Sequence, residues 1–187
     1  MELLKFLDNK THFLLSCCQN VEPLVIKKTR KTTLRGLPET KRMFFQKKNK
    51  VFSCEYLGQN RHGEELVFLN GKLYSRTVWD CGSKDGLETI YYSNGRKLSE
   101  GSWGRGTREG IWNFWYADDN KAKEVVWYDG EVIKRSFWSR QGKLMYSCDY
   151  KWGRKHGFEK KWVDYRFCYE LRKYDQGSIV SCEYLQR

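Results

Sequence analysis

The segment KDGLETIYYSNGRKLSEGSWGRGT, residues 84–107, contains two strand-like runs on either side of Asn94-Gly95. Residues 87–92 are rich in aromatic and β-branched side chains, and the run after the turn, residues 96–103, ends on a tryptophan. Asn-Gly between two such runs is the strongest short signal for a β-hairpin, because both turn residues adopt a positive φ at low cost. This segment therefore predicts one β-hairpin.

The hairpin recurs along the chain at a fixed spacing. Aromatic residues equivalent to Trp103 return about every 23 or 24 residues. They are Tyr56, Trp79, Trp103, Trp127, Tyr150 and Tyr174, and five of them have a glycine three positions later: Gly82, Gly106, Gly130, Gly153 and Gly177. A constant period of this length indicates stacked supersecondary units. We therefore predict an all-β array of about six antiparallel hairpins over residues 40–187, forming an elongated, twisted single-layer sheet.

Both faces of that sheet are predicted to carry aromatic side chains. Successive residues of a strand point to opposite faces, so Phe114 and Trp115 lie on different sides. Tryptophan and tyrosine are the residues that most often anchor protein interfaces. The residues that share the Trp115 side by strand parity are the predicted partner-binding residues: Tyr91, Trp115, Trp138 and Trp162.

Residues 1–39 precede the repeats and are predicted to form a basic segment with short amphipathic helices, because their leucine and phenylalanine spacing suits a helix. These helices would cover the second aromatic face, or that face would be free for a protein partner or a second copy. Charged residues such as Lys5 and Asp8 interrupt the first apolar run, and no stretch is long enough to span a membrane. We therefore expect a reducing, intracellular (cytoplasmic) location.

Positive charge is concentrated before the array. The net charge is +12, and residues 1–50 hold twelve lysines and arginines against four acidic residues. The candidate polyanion contacts are Lys27, Lys28, Arg30, Lys31, Arg35, Lys41, Arg42, Lys47 and Lys48. Such a run suits nucleic acid, an acidic membrane surface or an acidic protein, or acts only as a solvated segment. Nucleic acid is the less favoured ligand, because the aromatic residues follow the repeat period, which core packing already explains.

The cysteines and histidines are predicted to be structural. Cys54, Cys148 and Cys182 each stand in a Ser-Cys-acid-Tyr string, at a spacing that suggests packing positions. His62 and His156 are predicted turn residues, because the turns between hairpins are predicted at His62-Gly63, Asp85-Gly86, Glu109-Gly110 and His156-Gly157. No Cys-x-x-Cys pair, Walker A loop, G-x-S-x-G or H-E-x-x-H motif occurs. We therefore expect no catalytic residue, no metal site and no cofactor.

The strings VFLNGKLYSRTVWDCGSKDG (residues 67–86) and YYSNGRKLSEGSWGRGTREG (residues 91–110) resemble the MORN-repeat family. MORN units are hairpins with an aromatic strand, an Asn-Gly turn, and a tyrosine or tryptophan followed by glycine. Many of the stricter consensus glycines are absent here, so the chain is similar to the divergent MORN proteins of bacteria and giant DNA viruses.

The resemblance implies a non-enzymatic scaffold whose groove receives a helix or a second copy, with no catalytic residue in the repeat itself. On this basis we expect a protein-interaction scaffold, a structural subunit of a larger assembly such as a virion. The alternative is a binder of an anionic surface, either acidic membrane lipid or nucleic acid, through the basic N-terminal segment.

Overall fold

The computed structural model describes residues 24–25 and 40–185. These residues are all-β and antiparallel, as predicted, with one short 3-10 turn at Asp164–Arg166. The helices predicted within residues 1–39 lie outside the described residues. The chain divides into two compact units between Gly95 and Arg96.

In the first unit, each strand pairs antiparallel with the next one in sequence. The strands are β1 (Leu24–Val25), β2 (Thr40–Lys47), β3 (Lys50–Leu57), β4 (Asn60–Leu69), β5 (Lys72–Asp80) and β6 (Ser83–Tyr91).

The second unit has the same sequential antiparallel pairing. Its strands are β7 (Lys97–Gly104), β8 (Thr107–Trp115), β9 (Lys121–Tyr128), β10 (Glu131–Trp138), β11 (Leu144–Lys151), β12 (Arg154–Val163), β13 (Cys168–Asp175) and β14 (Ser178–Leu185).

Five of the six turns that follow the periodic aromatic residues share one backbone conformation. Both central residues have a positive φ, as a two-residue type I′ hairpin turn requires. The turns are Cys81-Gly82, Arg105-Gly106, Asp129-Gly130, Trp152-Gly153 and Gln176-Gly177. The glycines that follow the periodic aromatic residues therefore occupy tight turns between strands.

A second set of glycines lies inside strands, where the sequence pattern had suggested turns. Gly63, Gly86, Gly110 and Gly157 lie in β4, β6, β8 and β12, all with positive φ. The β3–β4, β5–β6, β7–β8 and β11–β12 registers shift opposite these glycines, which marks a β-bulge. At Gly86 a Cβ atom would lie 3.1 Å from the Val78 Cβ. Both the left-handed backbone and the close approach explain why glycine stands there.

One face of the second unit holds most of its buried side chains. We call it the ladder face, defined by Trp103, Trp127, Tyr150 and Tyr174. Trp112 is 1% exposed on this face and contacts Trp103 edge-on, with ring centroids 5.4 Å apart. Its indole N–H donates to the Ser102 carbonyl at 3.0 Å. The ladder aromatics are therefore packing residues.

Two of the three cysteines in Ser-Cys-acid-Tyr strings are packing residues, as predicted. Cys54 and Cys148 are each 1% exposed. Burial raises the pKa of the Cys54 thiol to about 12 and raises that of Cys148 as well, so both thiols stay protonated. The prediction is wrong for Cys182, which is exposed on β14. In the described sheet β14 has a paired neighbour, β13, on one side alone, so fewer side chains cover its residues.

Buried glutamates recur beside the aromatic residues, each with a basic side chain four positions earlier. The ion pairs are Arg61–Glu65, Lys84–Glu88 and Lys155–Glu159. Glu65, Glu88 and Glu159 are 9%, 7% and 2% exposed. Tryptophan takes the glutamate position at Trp112, and Arg108 lies 4.5 Å from its ring. The same strand position thus holds either an ion pair or a cation–π pair.

Candidate functional site

Three of the predicted partner-binding residues lie together on one face of the second unit. Lys123 Nζ lies 5.1 Å from the Phe114 ring and 5.5 Å from the Phe137 ring, so these three side chains share the ladder face. Trp115 and Trp138 follow the two phenylalanines directly and therefore point to the opposite side. We call that side the tryptophan face, defined by Trp115, Trp138 and Trp162.

Each tryptophan of this face lies beneath a lysine. The ammonium-to-ring pairs are Lys97 with Trp115 at 5.9 Å, Lys121 with Trp138 at 4.9 Å, and Lys143 with Trp162. A cation over an indole ring is attracted by the negative face of the ring. These contacts hold the rings against the sheet and place positive charge around them.

Glutamates anchor two of these lysines. Lys97 pairs with Glu100 at 2.6 Å, and Lys121 pairs with Glu124 at 2.5 Å. The tryptophan face thus repeats one arrangement, glutamate, lysine and tryptophan, on neighbouring hairpins. Such a preformed arrangement lowers the side-chain entropy that a binding event would cost.

The tryptophans differ in how much surface they offer. Trp115 and Trp138 are half-buried, whereas Trp162 is 8% exposed. Trp162 packs edge-on against Tyr169 at 5.0 Å, and its indole N–H donates to Asp164. Trp162 is therefore mainly a packing residue. Tyr91, the remaining predicted residue, is half-buried at the end of β6 in the first unit.

Sequence reasoning missed exposed apolar residues on the other end of the same face. Ile111 and Phe158 are 55% and 53% exposed. Ile111 pairs with Val126, and the backbone N–H of Phe158 donates to Asp149 at 3.3 Å. Between them lies the exposed ion pair of Lys134 and Asp149, 3.8 Å apart. The sequence signal that they share is their position, one residue after Gly110 and Gly157.

In the described part of the basic cluster, one side chain forms an ion pair and two are exposed to solvent. Arg42 donates to Ser53 at 3.1 Å and forms an ion pair with Glu55, so its charge is compensated. Lys47 and Lys48 are exposed at the β2–β3 turn. Lys41 lies in β2. The other predicted contacts, Lys27, Lys28, Arg30, Lys31 and Arg35, lie outside the described residues.

The two described histidines lie in strands rather than in turns, which corrects the sequence prediction. His62 in β4 is 3.1 Å from the Asp80 carboxylate, and His156 in β12 is 3.3 Å from Asp175. The strand places them here because the tight turn comes earlier, as at Trp152-Gly153, and the later glycine forms the bulge.

A scan against models of known protein families finds no match, and a search of curated proteins finds no relative. Over residues 24–25 and 40–185, no helix has the length and hydropathy needed to cross a bilayer. The candidate site therefore rests on the geometry of its own residues.

Proposed function

We propose that this chain is a non-enzymatic protein-interaction scaffold built from about six MORN-like hairpin repeats, and that the tryptophan face of its second unit is the binding surface. The observation that carries this proposal is that one face bears two kinds of hydrophobic side chain. The half-buried rings of Trp115 and Trp138 are held in place by lysines, and Ile111 and Phe158 expose more than half of their surface. Aromatic and apolar side chains interleaved with charged pairs on one exposed face are typical of a protein-interaction surface.

The chemistry of the face favours a protein partner or a second copy over a small molecule. The rings lie on an extended sheet, lysines surround them, and the Lys134–Asp149 pair provides both charges. A complementary surface would bring apolar side chains onto the rings and carboxylates to the lysines. Such a scaffold would serve as a structural subunit of an intracellular assembly or of a virion.

Exchange of Trp138 for serine is expected to weaken partner capture by at least about tenfold, because a tryptophan anchor typically contributes 2 kcal/mol or more. The matched control is Phe137→Ser, since Phe137 is the preceding residue, is 37% exposed and points to the ladder face. Quantitative affinity capture from the native source compares both variants with the wild type. If W138S and the wild type capture the partner equally, with both folded by circular dichroism, the tryptophan face is not the binding surface.

The alternative function is binding of an anionic surface through the basic N-terminal segment, and the exposed Lys47 and Lys48 of the β2–β3 turn, which continue the same basic cluster in the sequence, favour it. Liposome flotation with and without acidic lipid, and a nucleic-acid mobility shift at low salt, test this alternative. Charge-neutral glutamine variants of Lys27, Lys28, Arg30 and Lys31 should abolish binding if the segment is responsible. Absence of binding to both probes at low salt would remove this alternative.

A further inference from the structure

Three side chains with metal-binding atoms meet at the β5–β6 turn of the first unit. His62 Nδ1 lies 3.1 Å from an Asp80 carboxylate oxygen and 4.0 Å from the Cys81 sulfur. All three ligand atoms lie within 4.8 Å of one another. Asp80 and Cys81 are exposed and His62 is half-buried, so the cluster is open to solvent.

The fold brings these residues together although they are distant in sequence. Gly63 pairs with Trp79, which places His62 beside Asp80 across the β4–β5 ladder. The backbone N–H of Gly82 donates to the Arg61 carbonyl at 2.8 Å and holds the turn against β4. Cys81 has a φ of 45°, the first position of the type I′ turn. Backbone hydrogen bonds therefore fix the relative positions of the three residues.

We propose that His62, Asp80 and Cys81 form a binding site for Zn²⁺. Tetrahedral coordination at the usual zinc–ligand lengths puts nitrogen and oxygen about 3.3 Å apart, and nitrogen and sulfur about 3.6 Å apart. The observed separations of 3.1 and 4.0 Å are close to these values, and the exposed Asp80 and Cys81 side chains can rotate to reach them. Imidazole, thiolate and carboxylate together suit zinc, whereas magnesium and calcium prefer oxygen ligands alone. Three protein ligands leave a position for water, so the site is of the open kind.

The second unit repeats this arrangement of a histidine beside an aspartate and a type I′ turn, but a different residue stands in the place of Cys81. We call each arrangement a frame. His156 lies 3.3 Å from Asp175, and the Gly177 N–H donates to the Lys155 carbonyl at 2.8 Å. Gln176, with a φ of 46°, occupies the position that Cys81 has in the first unit. An amide side chain supplies no thiolate. The two frames thus differ in the ligand that zinc would need, and the second is an internal control.

The test is a titration of the full-length reduced protein with Zn²⁺ against a chromophoric chelator, with Co²⁺ absorption as a second readout. We expect C81A and H62A to lose more than the roughly 10- to 100-fold in affinity that second-shell partners typically contribute. Cobalt should give a thiolate charge-transfer band in the wild type that is absent in C81A. The variant Q176C should raise the zinc stoichiometry above that of the wild type, because it completes the second frame.

Several outcomes would overturn the site. One is wild-type affinity for zinc in C81A. Another is loss of binding in C81A but not in H62A, since a single thiol would then explain the binding. C182A, which removes an exposed cysteine whose sulfur lies 3.4 Å from Glu170, should leave zinc affinity unchanged. Failure of Q176C to add zinc, with its fold intact, would also contradict the geometry.

Discussion

Replacement of Glu159 by alanine is expected to lower the free energy of unfolding by about 2–3 kcal/mol, because a buried hydroxyl loses its charged acceptor while the neighbouring lysine and arginine stay partly solvated. Glu159 is 2% exposed and forms an ion pair with Lys155. It also accepts a hydrogen bond from the Tyr174 hydroxyl at 3.1 Å and lies 3.7 Å from Arg172. Without the carboxylate, Lys155 loses its charge partner and Tyr174 loses its acceptor in a buried site.

The same residue should make stability depend on pH. Burial alone would raise the pKa of Glu159, but the hydrogen bonds from Lys155 and Tyr174 outweigh it and lower the pKa below its ordinary value of 4.5. A carboxyl whose pKa falls on folding stabilises the protein at pH values above its unfolded pKa. That contribution is lost as the pH falls through the lower, folded-state pKa. The difference in stability between wild type and E159Q should therefore shrink under acidic conditions.

Urea unfolding followed by circular dichroism measures both effects. Glu124→Ala is the matched control, because Glu124 forms its ion pair with Lys121 on the more open tryptophan face, and pairs near the surface contribute about 1 kcal/mol or less. If E159A and E124A cost the same, or the E159Q difference does not vary with pH, Glu159 is not a buried, ionised partner.

Gly101→Thr is expected to cost about 3 kcal/mol, at the upper end of the range for overpacking. A Cβ atom on Gly101 would overlap the indole ring of Trp112, which is 1% exposed and cannot move aside. The equivalent pair in the first unit is Thr77 and Glu88, joined by a hydrogen bond of 3.2 Å. Gly101 is therefore small because Trp112 replaces the smaller glutamate.

Trp112→Glu alone should cost about 3–5 kcal/mol, because it removes a buried tryptophan and leaves a cavity. The double variant G101T/W112E restores the Thr77–Glu88 pattern, with Arg108 in the place of Lys84. We expect it to be at least about 2 kcal/mol more stable than the sum of the two single changes predicts, within the usual range for contacting residues. Simple additivity in urea unfolding would show that the two positions are not equivalent across repeats.

The period of the aromatic residues was enough to predict a series of antiparallel strands, although it did not place most of the turns between hairpins correctly. A type I′ turn admits few residues at its second position, so the glycine at Gly106 or Gly130 gives a local signal that sequence alone can show. Strand parity likewise placed Trp115 and Trp138 on the face opposite Phe114 and Phe137. These predictions depend on residues close in sequence.

The features that sequence reasoning missed depend on register between strands. The bulge at Gly86 moves a glycine from an expected turn into β6, and a similar shift puts His62 and His156 in strands. His62 meets Cys81 through pairing of β4 with β5, which no fixed motif spacing reports. A search for Cys-x-x-Cys pairs could not point to the proposed zinc site, which has a single cysteine. The exposure of Ile111 likewise depends on how much of it the side chains of the neighbouring strands cover, which the sequence pattern does not show.

Site-specific photocrosslinking tests the central claim, that the tryptophan face binds a protein partner, most directly. A photoreactive phenylalanine analogue is placed at Trp138 in one variant and at Phe137 in another, and both are irradiated in cells of the native source. The two positions adjoin in sequence and lie on opposite faces. We expect a discrete protein adduct, a partner or a second copy, from position 138 and none from position 137. Adducts from position 137 alone, equal adducts from both, or none from position 138 would contradict the proposal.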